Sequence, residues 1–170
     1  MDPYQDSSFS NRGLCYLSLE KFNEAKSDLN KAINLNSKNI KALKRLAHVH
    51  LLLAEFSEAE IFLKRCLDVE PEDKRHKDDL DLIRNLKEMY SDLNKAKFIL
   101  DYKKSEFLSE KLLEKCKECT KLKSIYVECL LQNCKPTQAL EFMKKNLTDE
   151  EKRKEEFEYF LCLAYSYDGK

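Results

Sequence analysis

A step of 34 residues carries Phe9 to Leu43, Gly13 to Ala47, Tyr16 to His50 and Phe22 to Phe56. The same step carries Ala25 to Ala59, Leu29 to Leu63, Ala32 to Cys66 and Leu35 to Val69. Identities are few, but large residues meet large ones and small meet small. A fixed period of this kind constrains the fold more than any single motif does. One unit alone leaves an apolar face wet, so neighbouring units must stack as a solenoid. Gly13 and Ala25, with their copies Ala47 and Ala59, mark the point where the two helices of a unit cross closely. Larger side chains there would force the helices apart. Phe22 and Phe56 anchor the turns, and Pro71 stops a helix it cannot continue.

Composition agrees with helices. Two glycines and three prolines are too few turn-formers for a sheet-rich domain. Charged residues at 36% are mixed with hydrophobic ones at 42%, the balance of amphipathic helices. The net charge of +0 offers no basic field for nucleic acid. The opening "MDPYQDSSFS" lacks the apolar core of a signal peptide, and the aliphatic run Leu51–Ala54 is far short of a membrane span. Seven cysteines, an odd number, predict free thiols in a reducing compartment and hence a cytoplasmic protein. The sequon at Asn146 then goes unglycosylated.

The period returns later in the chain. Val127 and Ala139 share the twelve-residue separation of Gly13 and Ala25, and Leu161 lies one period after Val127. The expected organisation is a tail at 1–5, two well-formed units at 6–73, a long helix and degenerate unit at 74–119, and, within 120–170, a unit plus the first helix of an incomplete one. No Gly or Pro stands between 72 and 135. The stripe Ile83, Leu86, Tyr90, Leu93, Leu100 therefore predicts a helix of about 28 residues, ~40 Å long. A break near Tyr102–Ser105 and a second helix through Phe107, Leu108, Leu112, Leu113 and Cys116 follow. The last helix carries Phe157, Phe160, Leu161, Ala164 and Tyr165. Its second face lacks a partner helix, which predicts self-association.

Catalytic motifs are missing. There is no Gly-rich phosphate loop, no Gly-x-Ser-x-Gly and no His-Glu-x-x-His. "CKEC" pairs Cys116 with Cys119, but a structural zinc needs two further ligands, and His48, His50 and His76 are not spaced to supply them. His48 and His50, two apart, point in different directions on a helix, and His50 stands where Tyr16 stands in the first copy. "TDEEKRKEEFE" reads as a solvated helix face. The chain is expected to be no enzyme and to hold no metal or cofactor.

The pattern resembles the tetratricopeptide repeat, a 34-residue helix–turn–helix. That resemblance implies an all-α, right-handed superhelix of antiparallel helix pairs. The first helices of successive units would line a groove, so Asn11 and its counterpart Arg45 project into it. Lys41 precedes Arg45 by one helical turn and shares its face. An amide and two cations around one spot suit a carboxylate. "SNRG" and "KALKR" resemble the dicarboxylate-clamp class, co-chaperones that grip the acidic C-terminal tails of Hsp70 and Hsp90. The resemblance implies Asn11, Lys41 and Arg45 as the peptide-binding residues. A full clamp has a preceding unit with a further Lys and Asn. With five residues before the first unit here, the clamp is expected to be partial. The order of units resembles the tetratricopeptide J-domain co-chaperones of the DnaJ subfamily C type, although no His-Pro-Asp motif occurs. A scaffold repeat without a chaperone clamp is the alternative reading, and a catalytic domain outside the chain a third.

Overall fold

The structure is a computed structural model that describes residues 5–168. Its elements are α1 (Gln5–Ser18), α2 (Phe22–Leu35), α3 (Ile40–Leu52), α4 (Phe56–Val69), α5 (Lys74–Phe98), α6 (Tyr102–Leu113), α7 (Thr120–Gln132), α8 (Pro136–Asn146), α9 (Asp149–Lys152) and α10 (Glu155–Asp168). The fold is all-α, with no strand among the described residues. Of the tail expected at 1–5, residues 1–4 lie outside the described residues, and Gln5 already opens α1. Two compact units divide within α5, one ending at Lys87 and the other beginning at Glu88. No helix of the described residues is long and apolar enough to cross a membrane.

In the first unit α1 pairs with α2, and α3 with α4. Ala25, Leu29, Ala32, Leu43, Leu46, Val49 and Cys66 form its core. The crossing of α1 and α2 depends on Gly13. A Cβ there would lie 2.8 Å from Leu29 Cγ and 3.5 Å from the Ala25 carbonyl oxygen. Ala47, the counterpart of Gly13, is buried.

The turn inside each helix pair is built one way throughout. Glu20, Ala54, Leu100 and Cys134 all take φ between 57° and 58°. The next backbone N–H then bonds a carbonyl five residues back: Lys21 to Tyr16 at 2.9 Å, Glu55 to His50 at 2.8 Å, Asp101 to Ala96 at 2.9 Å and Lys135 to Leu130 at 2.9 Å. This is the Schellman closure of a helix. It normally uses glycine, because a Cβ in the left-handed region costs about 1–2 kcal/mol.

The third of these turns corrects the expected middle of the chain. α5 has 25 residues, not 28, and the break falls at Ile99–Asp101 rather than near Tyr102–Ser105. The Asp101 carboxylate accepts the Lys104 N–H at 3.0 Å and so caps α6 three residues earlier than apolar spacing suggested. Leu100 leaves the stripe as the turn residue and is exposed, while Ile83, Leu86 and Leu93 are buried and Tyr90 is half-buried. Phe107 also faces out. Cys116 is not on α6, which ends at Leu113, but in the turn after it.

In the second unit the core joins Val127, Leu130 and Leu131 of α7, Ala139 and Met143 of α8, Leu147, and Phe157 and Ala164 of α10. Phe160 and Leu161 are half-buried and Tyr165 is exposed. The stretch "TDEEKRKEEFE" is not a uniformly solvated face. Thr148 and Glu151 form a capping box that starts α9. Glu151 is buried, accepting from Lys123 Nζ at 3.0 and 3.2 Å and from Thr120 Oγ1 at 2.7 Å. Burial alone would raise the Glu151 pKa, but the bonds from Thr120, the Thr148 N–H and Lys123 outweigh it and hold the carboxyl below its ordinary value. Its contribution to stability is therefore complete above the pKa of an unfolded glutamate and is lost as pH falls.

Three outcomes follow for denaturant unfolding. Gly13→Ala gains helix propensity but pushes on Leu29, and loses about 1 kcal/mol net. Ala54→Gly, at a left-handed turn, gains up to about 1 kcal/mol. Lys123→Met leaves a buried carboxylate unpaired and costs about 3–5 kcal/mol at neutral pH. The same variant loses less in acid, where Glu151 is protonated and needs no cation.

Candidate functional site

The Asn39 side chain accepts the Ala42 N–H at 3.0 Å and so starts α3. From there the helical period turns Ala42, Leu43, Leu46, Ala47 and Val49 into the core. Lys41 and His48 are left exposed, and Lys44 and Arg45 half-buried.

Arg45 leans on α1. Its Nη1 donates to the Ser10 carbonyl at 2.7 Å, to Ser10 Oγ at 2.9 Å and to Asn11 Oδ1 at 3.4 Å. All three bonds use one nitrogen. The Nε–Nη2 edge has no hydrogen-bond partner among the described residues, and that edge has the geometry to take a carboxylate bidentately. The Asn11 amide lies on the Nη1 side of the guanidinium. Lys41, one turn earlier on α3, has no ion-pair partner among the described residues. The structure thus brings Arg45 and Asn11 into contact and leaves Lys41 exposed on the same helix. Ser10, buried and paired with Arg45, is the member that sequence reading missed. A serine that accepts from a neighbouring helix carries no local signal.

The other flank of α3 meets α5 in a pocket of about 270 Å³, lined by Lys44, His48 and Leu51 opposite Asp79, Leu82 and Ile83. His50 packs between helices. It stacks on Phe62 with ring centroids 5.4 Å apart, and its Nδ1 meets Glu55, which also pairs with Lys26 at 2.6 Å. In the second unit a wider groove of about 890 Å³ runs past Asn94, Lys97, Ser124, Glu128, Glu156 and Phe160. Within it Lys97 pairs with Glu128 at 2.8 Å, and the Ser124 hydroxyl donates to Glu156 at 3.2 Å.

Residues 7–39 and residues 40–73 each match the tetratricopeptide repeat. The pairs α1–α2 and α3–α4 are thus the parts of the chain that match this repeat. The chain is 37% identical over 75 residues to the heat shock protein STI1 of Saccharomyces cerevisiae, across 44% of this chain and 13% of that protein. It is 35% identical over 92 residues to sperm-associated antigen 1 of Homo sapiens, across 52% of this chain and 10% of that protein. The matches thus span little more than a tenth of these relatives. Its fold is similar to the crystal structure of the P58(IPK) TPR domain, with a TM-score of 0.78 at 23% identity over 98% of this chain and 50% of that one. Tetratricopeptide repeats are protein–protein interaction modules rather than catalytic folds.

The "CKEC" pair lies in the turn between α6 and α7, and both cysteines are buried. Burial pushes the Cys116 thiol up to about 12 and raises Cys119 as well, so both stay protonated and poor as ligands or nucleophiles. Burial likewise pushes Cys66 up to about 11 and Cys129 up to about 12. Cys15, Cys134 and Cys162 are exposed. In the folded protein these three should react rapidly with a thiol reagent, and Cys66, Cys116, Cys119 and Cys129 only on unfolding. Mass-resolved labelling with and without denaturant checks the division.

Proposed function

We propose that the first unit binds the acidic C-terminal tail of a heat shock chaperone of the Hsp70 or Hsp90 class through Asn11, Lys41 and Arg45. The observation that carries this reading is the state of Arg45. α1 holds it through Nη1, which also touches Asn11, while its Nε–Nη2 edge has no hydrogen-bond partner among the described residues. A side chain fixed in this way loses little rotamer freedom when a carboxylate arrives. The resemblance of "SNRG" and "KALKR" to the dicarboxylate-clamp repeats supports the reading, as does the likeness to a heat shock protein. The co-chaperone role, the Hsp70 and Hsp90 partners and a cytoplasmic location, where thiols stay reduced, all belong to this proposal. So does the division of the chain. Residues 6–73 form two well-formed units that carry the clamp, 74–119 a long helix and a degenerate unit, and 120–170 a unit plus the first helix of an incomplete one.

A second reading has a specific observation behind it. The groove of the second unit is larger than the α3–α5 pocket and carries both signs of charge, with Lys97 paired to Glu128 and Ser124 bonded to Glu156. That suits a scaffold holding a folded or mixed-charge partner with no chaperone clamp.

Calorimetry with a peptide ending in Glu-Glu-Val-Asp separates the two. Each charge-assisted bond to a carboxylate contributes roughly 1.5–3 kcal/mol, so Arg45→Ala should weaken binding about tenfold or more. Lys41→Ala should weaken it less, and added salt should weaken it further. Equal binding of the C-terminally amidated peptide, or an unchanged affinity in Arg45→Ala, removes the clamp and leaves the scaffold.

A further inference from the structure

The turn between α4 and α5 differs in chemistry from its counterpart one repeat earlier. Between α2 and α3 the positions are Asn36, Asn39 and Ala42, and the two amides share the Asp6 carboxylate at 2.9 and 3.0 Å. A step of 34 residues turns them into Glu70, Asp73 and His76. Two neutral amides become carboxylates, and a fully buried alanine becomes an imidazole that is 1% exposed. Apolar packing does not call for a histidine there.

His76 Nδ1 is buried and has no hydrogen-bond partner among the described residues. It is nonetheless aimed at two anions, 3.8 Å from Glu70 Oε2 and 3.9 Å from Asp73 Oδ2. Those distances are too long for hydrogen bonds. They are close to the separation of ligand atoms that share one cation. Zinc–nitrogen and zinc–oxygen bonds of about 2.0–2.2 Å set tetrahedral ligand atoms ~3.4 Å apart. All three atoms lie within 4.8 Å of one another. Glu70 is half-exposed and can swing in by the remaining distance. Asp73 is oriented from behind, since its Oδ1 accepts the Arg75 N–H at 2.8 Å and Arg75 Nε at 3.2 Å. Its Oδ2 also takes Arg75 Nη2 at 2.7 Å, a contact the cation would share or displace.

We propose that Glu70 Oε2, Asp73 Oδ2 and His76 Nδ1 form a binding site for a divalent transition cation of the zinc class, with water completing the shell. An imidazole with two carboxylates suits Zn²⁺ better than Ca²⁺ or Mg²⁺, which prefer all-oxygen shells. The cation ties the C-cap of α4 to the first turn of α5, so its effect is to brace the entry of the long helix. The site's members sit three apart across a turn. That spacing has no recognisable motif until the turn folds.

The test is a Zn²⁺ titration of the full chain in a non-chelating reductant, followed by calorimetry and by ¹⁵N resonances of the histidine rings. Zn²⁺ should shift the His76 ring signals, raise the melting temperature, and bind at least tenfold more weakly to Glu70→Gln and His76→Ala. Glu70→Gln changes a half-exposed side chain and keeps the readout if His76→Ala fails to fold. Unmoved His76 signals, or an affinity unchanged in Glu70→Gln because thiols alone take up the metal, overturns the site.

Discussion

The approach of Leu29 to Gly13 sets how closely α1 and α2 pack. Leu29 occupies the space a Cβ would need, and the Ala25 carbonyl lies just beyond. That contact fixes the distance between the two helices and the direction in which α1 presents its outer face. Ser10 and Asn11 reach Arg45 because α1 is held in that position. The second copy repeats the arrangement with Ala47, Ala59 and Leu63, all buried. The position of Arg45 against α1, on which the proposed carboxylate site depends, therefore rests on small residues at the helix crossing.

The turns act as a second constraint. Four non-glycine residues accept a left-handed backbone because each closes its helix with a bond of 2.8–2.9 Å. Between Glu20 and Ala54, and again between Leu100 and Cys134, the spacing equals one repeat. From Ala54 to Leu100 it is longer by twelve residues, and α5 absorbs the excess. The extra length is helix rather than loop because the insertion carries neither Gly nor Pro and keeps an apolar residue on nearly every turn.

Charges are handled differently in the two units. Lys123 and Glu151 are removed from water and satisfy each other. Arg45 is removed only in part and keeps one edge unpaired, while Lys41 stays in solvent. A paired buried ion contributes to one specific arrangement of helices. A cation held in place but left open is suited to taking an anion from outside.

The sequence alone determined the helical class, the 34-residue period, the close crossing at Gly13 and the equivalence of positions 11 and 45 in successive units. All of these follow from the size and spacing of side chains along one strand of text, which helical geometry converts directly into faces. The end of α5, the burial of Glu151, the anchoring of Arg45 by Ser10 and the convergence of Glu70, Asp73 and His76 were decided only in three dimensions. Each depends on a polar atom meeting a partner from another turn or helix. A serine, a glutamate or a histidine reads as solvated until packing removes the water around it.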